Sequence, residues 1–150
     1  MPGNKIRVLI VDDSALMRKF ISDILTRDPN IEVVDTAMDG DLAVRKIASL
    51  KPDVVTMDIE MPRMDGLDAL ERIMRETPTP VLMLSSTTTK GALVTMEALE
   101  LGAVDFLAKP SASSPMEIYN IGEELRRMVK AVANARVKPL TGPARKRKSR

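Results

Sequence analysis

The 150-residue chain contains no histidine and no cysteine. Without them it cannot build a Ser-His-Asp or Cys-His centre, a Cys/His zinc site or a disulfide framework. A metal here must be held by oxygen, which favours hard cations such as Mg²⁺ or Ca²⁺. Tryptophan is absent as well, and one Tyr and two Phe are the whole aromatic content. That leaves no platform on which successive bases could stack, and it leaves the core to aliphatic residues and 11 Met. No apolar run reaches the length of a membrane span. The opening Met-Pro-Gly-Asn-Lys passes straight into a strand pattern with no signal peptide. The composition predicts a cytoplasmic protein without membrane insertion.

Charge is present in quantity but unevenly placed. From Arg136 onward there are seven basic residues and no acids, which leaves 16 basic against 21 acidic residues before that point. The division predicts a folded unit over residues 1–135 and a basic linker or disordered tail over 136–150. Pro139, Thr141, Gly142 and Pro143 have linker composition. No reading helix or stacking aromatic accompanies the basic run, so nucleic-acid binding is not expected.

Before that tail, strand and helix signals alternate. Short aliphatic runs at Ile6–Val11, Ile31–Ala37, Val54–Met57, Val81–Leu84 and Val104–Ala108 read as strands. Between them, apolar residues recur at helical spacing, as in Leu16, Met17, Phe20, Ile21, Ile24 and Leu25. Ser14 is placed to cap that helix, Asp39–Gly40 opens the next, Lys51–Pro52 ends it, and Gly102 suits a helix stop. Ile31–Ala37 is the least apolar strand and is placed near an edge; Val54–Met57 is the most central in character. Five βα units of this length predict an α/β fold, a doubly wound five-stranded parallel sheet with helices on both faces.

In such a sheet all strand exits lie along one edge, where α/β proteins place their chemistry. Asp12 and Asp13 follow the first strand, Asp58 the third, Ser85 the fourth and Lys109 the fifth. Taken singly, each could be a turn or surface residue. Together they predict a site for Mg²⁺ (or Mn²⁺) and a phosphoryl group. Crowded carboxylates raise one another's pKa unless a cation offsets them. Asp13 and Asp58 are expected to bind the ion directly, Asp12 through a water, and the backbone carbonyl of Glu60 could complete the shell. Asp58 is the candidate nucleophile, because a carboxylate can accept a phosphoryl group as an acyl phosphate. The ion, the Lys109 ammonium and the Ser85 hydroxyl would each neutralise one phosphoryl oxygen.

The segments Val-Asp-Asp-Ser, Met-Asp-Ile-Glu-Met-Pro-Arg-Met-Asp-Gly and Phe-Leu-Ala-Lys-Pro, in this order, resemble the response-regulator receiver domain. The likeness covers roughly residues 5–130 and implies a flavodoxin-like (βα)5 receiver fold. Val-Asp-Asp-Ser-Ala-Leu-Met-Arg, Leu-Ser-Ser-Thr-Thr and Ala-Leu-Glu-Leu-Gly-Ala-Val-Asp-Phe narrow it. They resemble the N-terminal regulatory domain of chemotaxis protein-glutamate methylesterases.

That resemblance implies phosphorylation of Asp58 by a chemotaxis histidine kinase of the CheA type. It also implies control of a C-terminal esterase or deamidase domain, and through it an indirect link to chemoreceptors. The esterase triad is missing from this chain, so the expectation is either a fragment, which is favoured, or a stand-alone receiver or the receiver of another output protein. The resemblance further implies a switch. Ser85 moves toward the phosphoryl group, and Phe106 turns into the space behind it. Ser86 is a rival for the first role, and Lys109–Pro110 is a candidate cis peptide. Two other readings fit less well. A dehalogenase-type phosphatase needs a second Asp where Glu60 stands, and a flavodoxin-like flavin binder needs a phosphate-cradling loop where Asp12–Asp13 would repel the phosphate.

Overall fold

The computed structural model describes residues 5–61, 66–85, 91–109 and 115–144. Five strands alternate with five helices. They are β1 (Ile6–Val11), α1 (Ala15–Thr26), β2 (Ile31–Ala37), α2 (Gly40–Leu50), β3 (Val54–Asp58), α3 (Gly66–Glu76), β4 (Val81–Ser85), α4 (Gly91–Leu101), β5 (Asp105–Ala108) and α5 (Pro115–Ala133). Every strand pair is parallel and the order across the sheet is β2-β1-β3-β4-β5. The sheet is the predicted doubly wound one. β2 takes an edge and β3 the centre, as their compositions suggested.

Strand alternation divides the core into two layers. Leu9, Val11, Val55, Met57, Val81 and Met83 pack with residues of α2, α3 and α4. Val8, Ile10, Val54, Leu82 and Leu84 pack with Ile21, Ile24 and Leu25 of α1 and Leu125, Val129 and Val132 of α5. Burial of each such aliphatic side chain contributes about 1.5–3 kcal/mol. β1, β3 and β4 are covered on both faces, which is why their sequences are continuous apolar runs rather than alternating ones.

The helix ends follow local chemistry. The Ser14 hydroxyl accepts the Met17 N–H at 3.2 Å, and the Asp39 carboxylate accepts the Leu42 N–H at 2.8 Å. Each satisfies a donor that the first helical turn leaves open. α2 ends at Lys51, which adopts a left-handed conformation (φ 49°) just before Pro52. The Arg7 guanidinium donates to the carbonyls of Leu50 and Lys51 at 2.8 and 2.9 Å, so β1 pins the end of α2.

The segment from 136 to 144 is irregular, as a linker is, yet it lies against the domain. Val137 and Leu140 pack on the α2–α4 core layer, and the Leu140 N–H donates to the Met74 carbonyl at 2.8 Å. The rest of the basic run, 145–150, and the Lys109–Pro110 bond lie outside the described residues, as do Ser86 and residues 62–65.

Candidate functional site

Parallel pairing brings the ends of β1, β3, β4 and β5 to one edge of the sheet, and the strand order reverses between β1 and β3. Asp12 follows β1 immediately and is fully buried. Its backbone is fixed by an N–H donated to the Ala37 carbonyl at 3.1 Å. Its Oδ1 accepts the Ser14 N–H at 2.9 Å. The Arg18 guanidinium, one turn into α1, donates to its carbonyl at 2.7 Å. Asp58 is the last residue of β3 and is 1% exposed; its Oδ1 accepts the Glu60 N–H at 3.0 Å.

Carboxylate oxygens of Asp12, Asp13 and Asp58 lie within 4.8 Å of one another, Asp13 alone of the three being exposed. Oδ2 of Asp12 and Oδ2 of Asp58 are both buried. What reaches them is the Lys109 ammonium, 3.1 Å from the first and 2.9 Å from the second. Lys109 follows β5 and is placed by its own N–H, which donates to the Ser85 carbonyl at 2.8 Å. The four predicted site residues Asp12, Asp13, Asp58 and Lys109 therefore do converge. The donor set, carboxylate oxygens of three aspartates drawn together at one strand edge, fits a small hard dication.

The electrostatics differ from the sequence argument in one respect. Asp58 is pushed up to about 6, and burial is the main cause; the Lys109 ammonium and the Glu60 N–H oppose it, and the Asp12 charge adds the least of these. Desolvation, rather than like-charge crowding, dominates. Burial acts on Lys109 in the lowering direction, but hydrogen bonds and charge attraction from Asp58 and Asp12 outweigh it and hold the ammonium above the usual lysine value. The lysine is thus charged at neutral pH and is the counter-ion of the two buried aspartates.

Gly66, the first residue of α3, explains why Asp58 sits as it does. A Cβ there would lie 2.5 Å from the Asp58 carbonyl oxygen and 2.7 Å from the Ile59 Cα. The Gly66 N–H donates to the Ile59 carbonyl at 2.8 Å. Only a residue without a side chain lets α3 start against this backbone.

The chain matches the response regulator receiver domain family over residues 8–119. It belongs to that family. Among solved structures, the receiver resembles the response regulator domain of Thermotoga maritima CheB, with TM-score 0.80 and 47% identity, covering 89% of this chain and 99% of that one. It also resembles a chain of the complex between the P1 domain of CheA3 and CheY6 from R. sphaeroides, with TM-score 0.73 and 36% identity, covering 89% of this chain and 100% of the other. A protein-glutamate methylesterase/protein-glutamine glutaminase of Carboxydothermus hydrogenoformans is 57% identical over 133 residues, which is 89% of this chain and 38% of that protein. The Geobacillus kaustophilus enzyme of the same description is 52% identical over 144 residues, 96% of this chain and 41% of that one. The receiver thus spans about two fifths of the length of these curated relatives.

Two further expected residues have clear positions. Ser85 ends β4, is buried, and is in register with Ala108. Phe106 is in register with Met83 and is partly buried against the α2–α4 layer. The two-residue period of a strand puts Met83, Ser85, Phe106 and Ala108 of the receiver on one face of the sheet. Arg18 and the Ser14 N–H, which fix Asp12, were not foreseen. Their signal was present in the sequence: both fall in the first turns after Asp12, where a helix entering a carboxylate site offers its N–H groups and early side chains.

Proposed function

We propose that the chain is the Mg²⁺-dependent phosphoacceptor domain of a chemotaxis response regulator, taking a phosphoryl group onto Asp58 from a phosphohistidine of a CheA-type kinase. The observation that carries the reading is the meeting of three aspartates and one lysine at the edge where β1, β3 and β5 end. In the transfer, an Asp58 carboxylate oxygen forms the new O–P bond as the N–P bond of the donor breaks, and the electron pair stays on the imidazole nitrogen. The donor histidine comes from the partner, since this chain has none.

Asp13 and Asp58 would hold the ion, with Asp12 acting through water and the Glu60 carbonyl as a further oxygen. Bound there, the ion supplies charge neutralisation for the group in flight. Lys109 leaves its place between the two Oδ2 atoms to pair with a phosphoryl oxygen, and the Ser85 hydroxyl donates to another. Phe106 then follows on the face it shares with Ser85, altering the surface of α4, β5 and α5. A ~100-fold shift between the two arrangements needs about 2.7 kcal/mol of differential interaction.

By the same reading the regulated output is a receptor glutamate methylesterase or deamidase domain, the compartment is the cytoplasm, and the chemoreceptors are reached indirectly. The test is binding of beryllofluoride with Mg²⁺, or labelling by acetyl phosphate. We expect a saturable response in the parent chain and none in Asp58→Asn. An undiminished response in Asp58→Asn would overturn the assignment.

A further inference from the structure

The rear of the molecule, at the sheet edge away from the aspartates, carries a built contact that phosphoacceptor chemistry does not use. The last carbonyls of a helix have no partner within it. In α3 one of these, on Met74, accepts the Leu140 N–H at 2.8 Å. Next to it, Arg75 holds the outgoing chain in a fork: Nη1 donates to the Gly142 carbonyl and Nη2 to the Pro143 carbonyl, both at 2.9 Å. The guanidinium is itself held by Glu71, one turn back, at 3.2 Å. Val137 and Leu140 supply apolar contact with the core layer below. A groove of about 520 Å³ remains between this segment and the corner running from Leu99 to Val104.

The other end of α3 is Gly66, in close contact with the Asp58 and Ile59 backbone. α3 has 11 residues and is about 16 Å long. It therefore touches the phosphoacceptor strand at one end and the outgoing chain at the other. Its buried face, Leu67, Ala69, Leu70, Ile73 and Met74, belongs to a close-packed core, and such cores transmit strain.

We propose that the C-terminal turn of α3 is a docking surface for the chain's own segment 136–143, and that α3 couples this docking to the state of Asp58. The coupling rests on the phosphoacceptor reading above; the docking does not. The three hydrogen bonds at the rear are matched to the present position of α3. A displacement of the Asp58–Ile59 backbone on loading the site stretches them, so loading loosens the segment. By linkage, loosening the segment favours loading by the same factor.

The test uses the 150-residue chain and hydrogen exchange of the Leu140 amide, read with and without Mg²⁺ and beryllofluoride. We expect Arg75→Ala to speed Leu140 exchange about 10-fold, and beryllofluoride with Mg²⁺ to speed it in the parent. We also expect beryllofluoride to bind correspondingly tighter to Arg75→Ala and to Leu140→Ser. Unchanged Leu140 exchange in Arg75→Ala would overturn the docking. Beryllofluoride that binds both chains equally and leaves Leu140 unmoved would overturn the coupling alone. Failure of parent and variants alike to bind beryllofluoride would overturn the phosphoacceptor reading and the coupling with it, while protection of Leu140 that Arg75→Ala abolishes would still support the docking.

Discussion

At the scale of single residues, Asp58 is a liability to folding that the proposed phosphoacceptor role requires. Its carboxyl titrates near 6 in the folded chain, above the ordinary value of 3.8, because it is buried. Below the ordinary value both folded and unfolded chains carry the proton, and the group makes no difference. As pH rises the unfolded chain ionises first, so the folded state loses stability between about 4 and 6 and the loss is constant above that. In chelator, we expect Asp58→Asn to be more stable than the parent at pH 7 by about 1–3 kcal/mol, with the difference shrinking toward pH 4. Urea unfolding across that range measures it, and a pH-independent difference would contradict the burial argument. Asp28 is the opposite case. The Lys130 ammonium at 2.7 Å and the Asn30 N–H hold its carboxyl below the usual range. Its contribution is present above about pH 4 and is lost as pH falls through the lowered value. With Lys130 substantially exposed, Asp28→Asn should cost about 1 kcal/mol at pH 7 and progressively less as the pH is lowered into the acid range, again by urea unfolding.

Among the elements, α3 depends most on one position. Gly66→Ala must push apart backbone rather than a flexible side chain, so a cost of about 1–3 kcal/mol or more is expected. The same displacement should weaken beryllofluoride binding at Asp58, which a titration of the variant would read directly. The elements themselves were largely legible in the sequence. β1, β2 and the apolar faces of α1 and α5 announce themselves through period and composition, and Ser14, Asp39, Lys51–Pro52 and Gly102 mark helix ends through cap and turn chemistry. What could not be read were the individual hydrogen bonds that tertiary packing sets. The fork of Arg75 spans 67 residues to Gly142, and the hold of Arg18 on the Asp12 carbonyl needs the helix direction that tertiary packing sets. The raised Asp58 was foreseen with the wrong leading cause, since burial depth is a property of the finished sheet.

For the molecule as a whole, the parallel order was legible because alternating strand and helix signals leave few topologies open, and the convergence of Asp12, Asp58 and Lys109 followed from it. Composition was a poorer guide to the end of the chain. A basic, Pro-containing stretch reads as unattached, but its two aliphatic residues Val137 and Leu140 decide its path. Ending the chain at Ala135 should cost about 1–3 kcal/mol in urea unfolding, because both side chains and the Leu140 N–H bond would be lost together. An unchanged midpoint and slope would show that the segment adds nothing to the fold.

The acid cluster is assembled from turns 46 residues apart, so it exists only when β1 and β3 lie side by side in their native alignment. A half-collapsed or misaligned chain offers a divalent ion nothing. An ion that binds the finished protein and ignores every earlier state raises stability by about 2.7 kcal/mol at a hundred times its dissociation constant. A cation held there would then act as an inspector of the fold, rewarding chains that have put β1 and β3 together correctly.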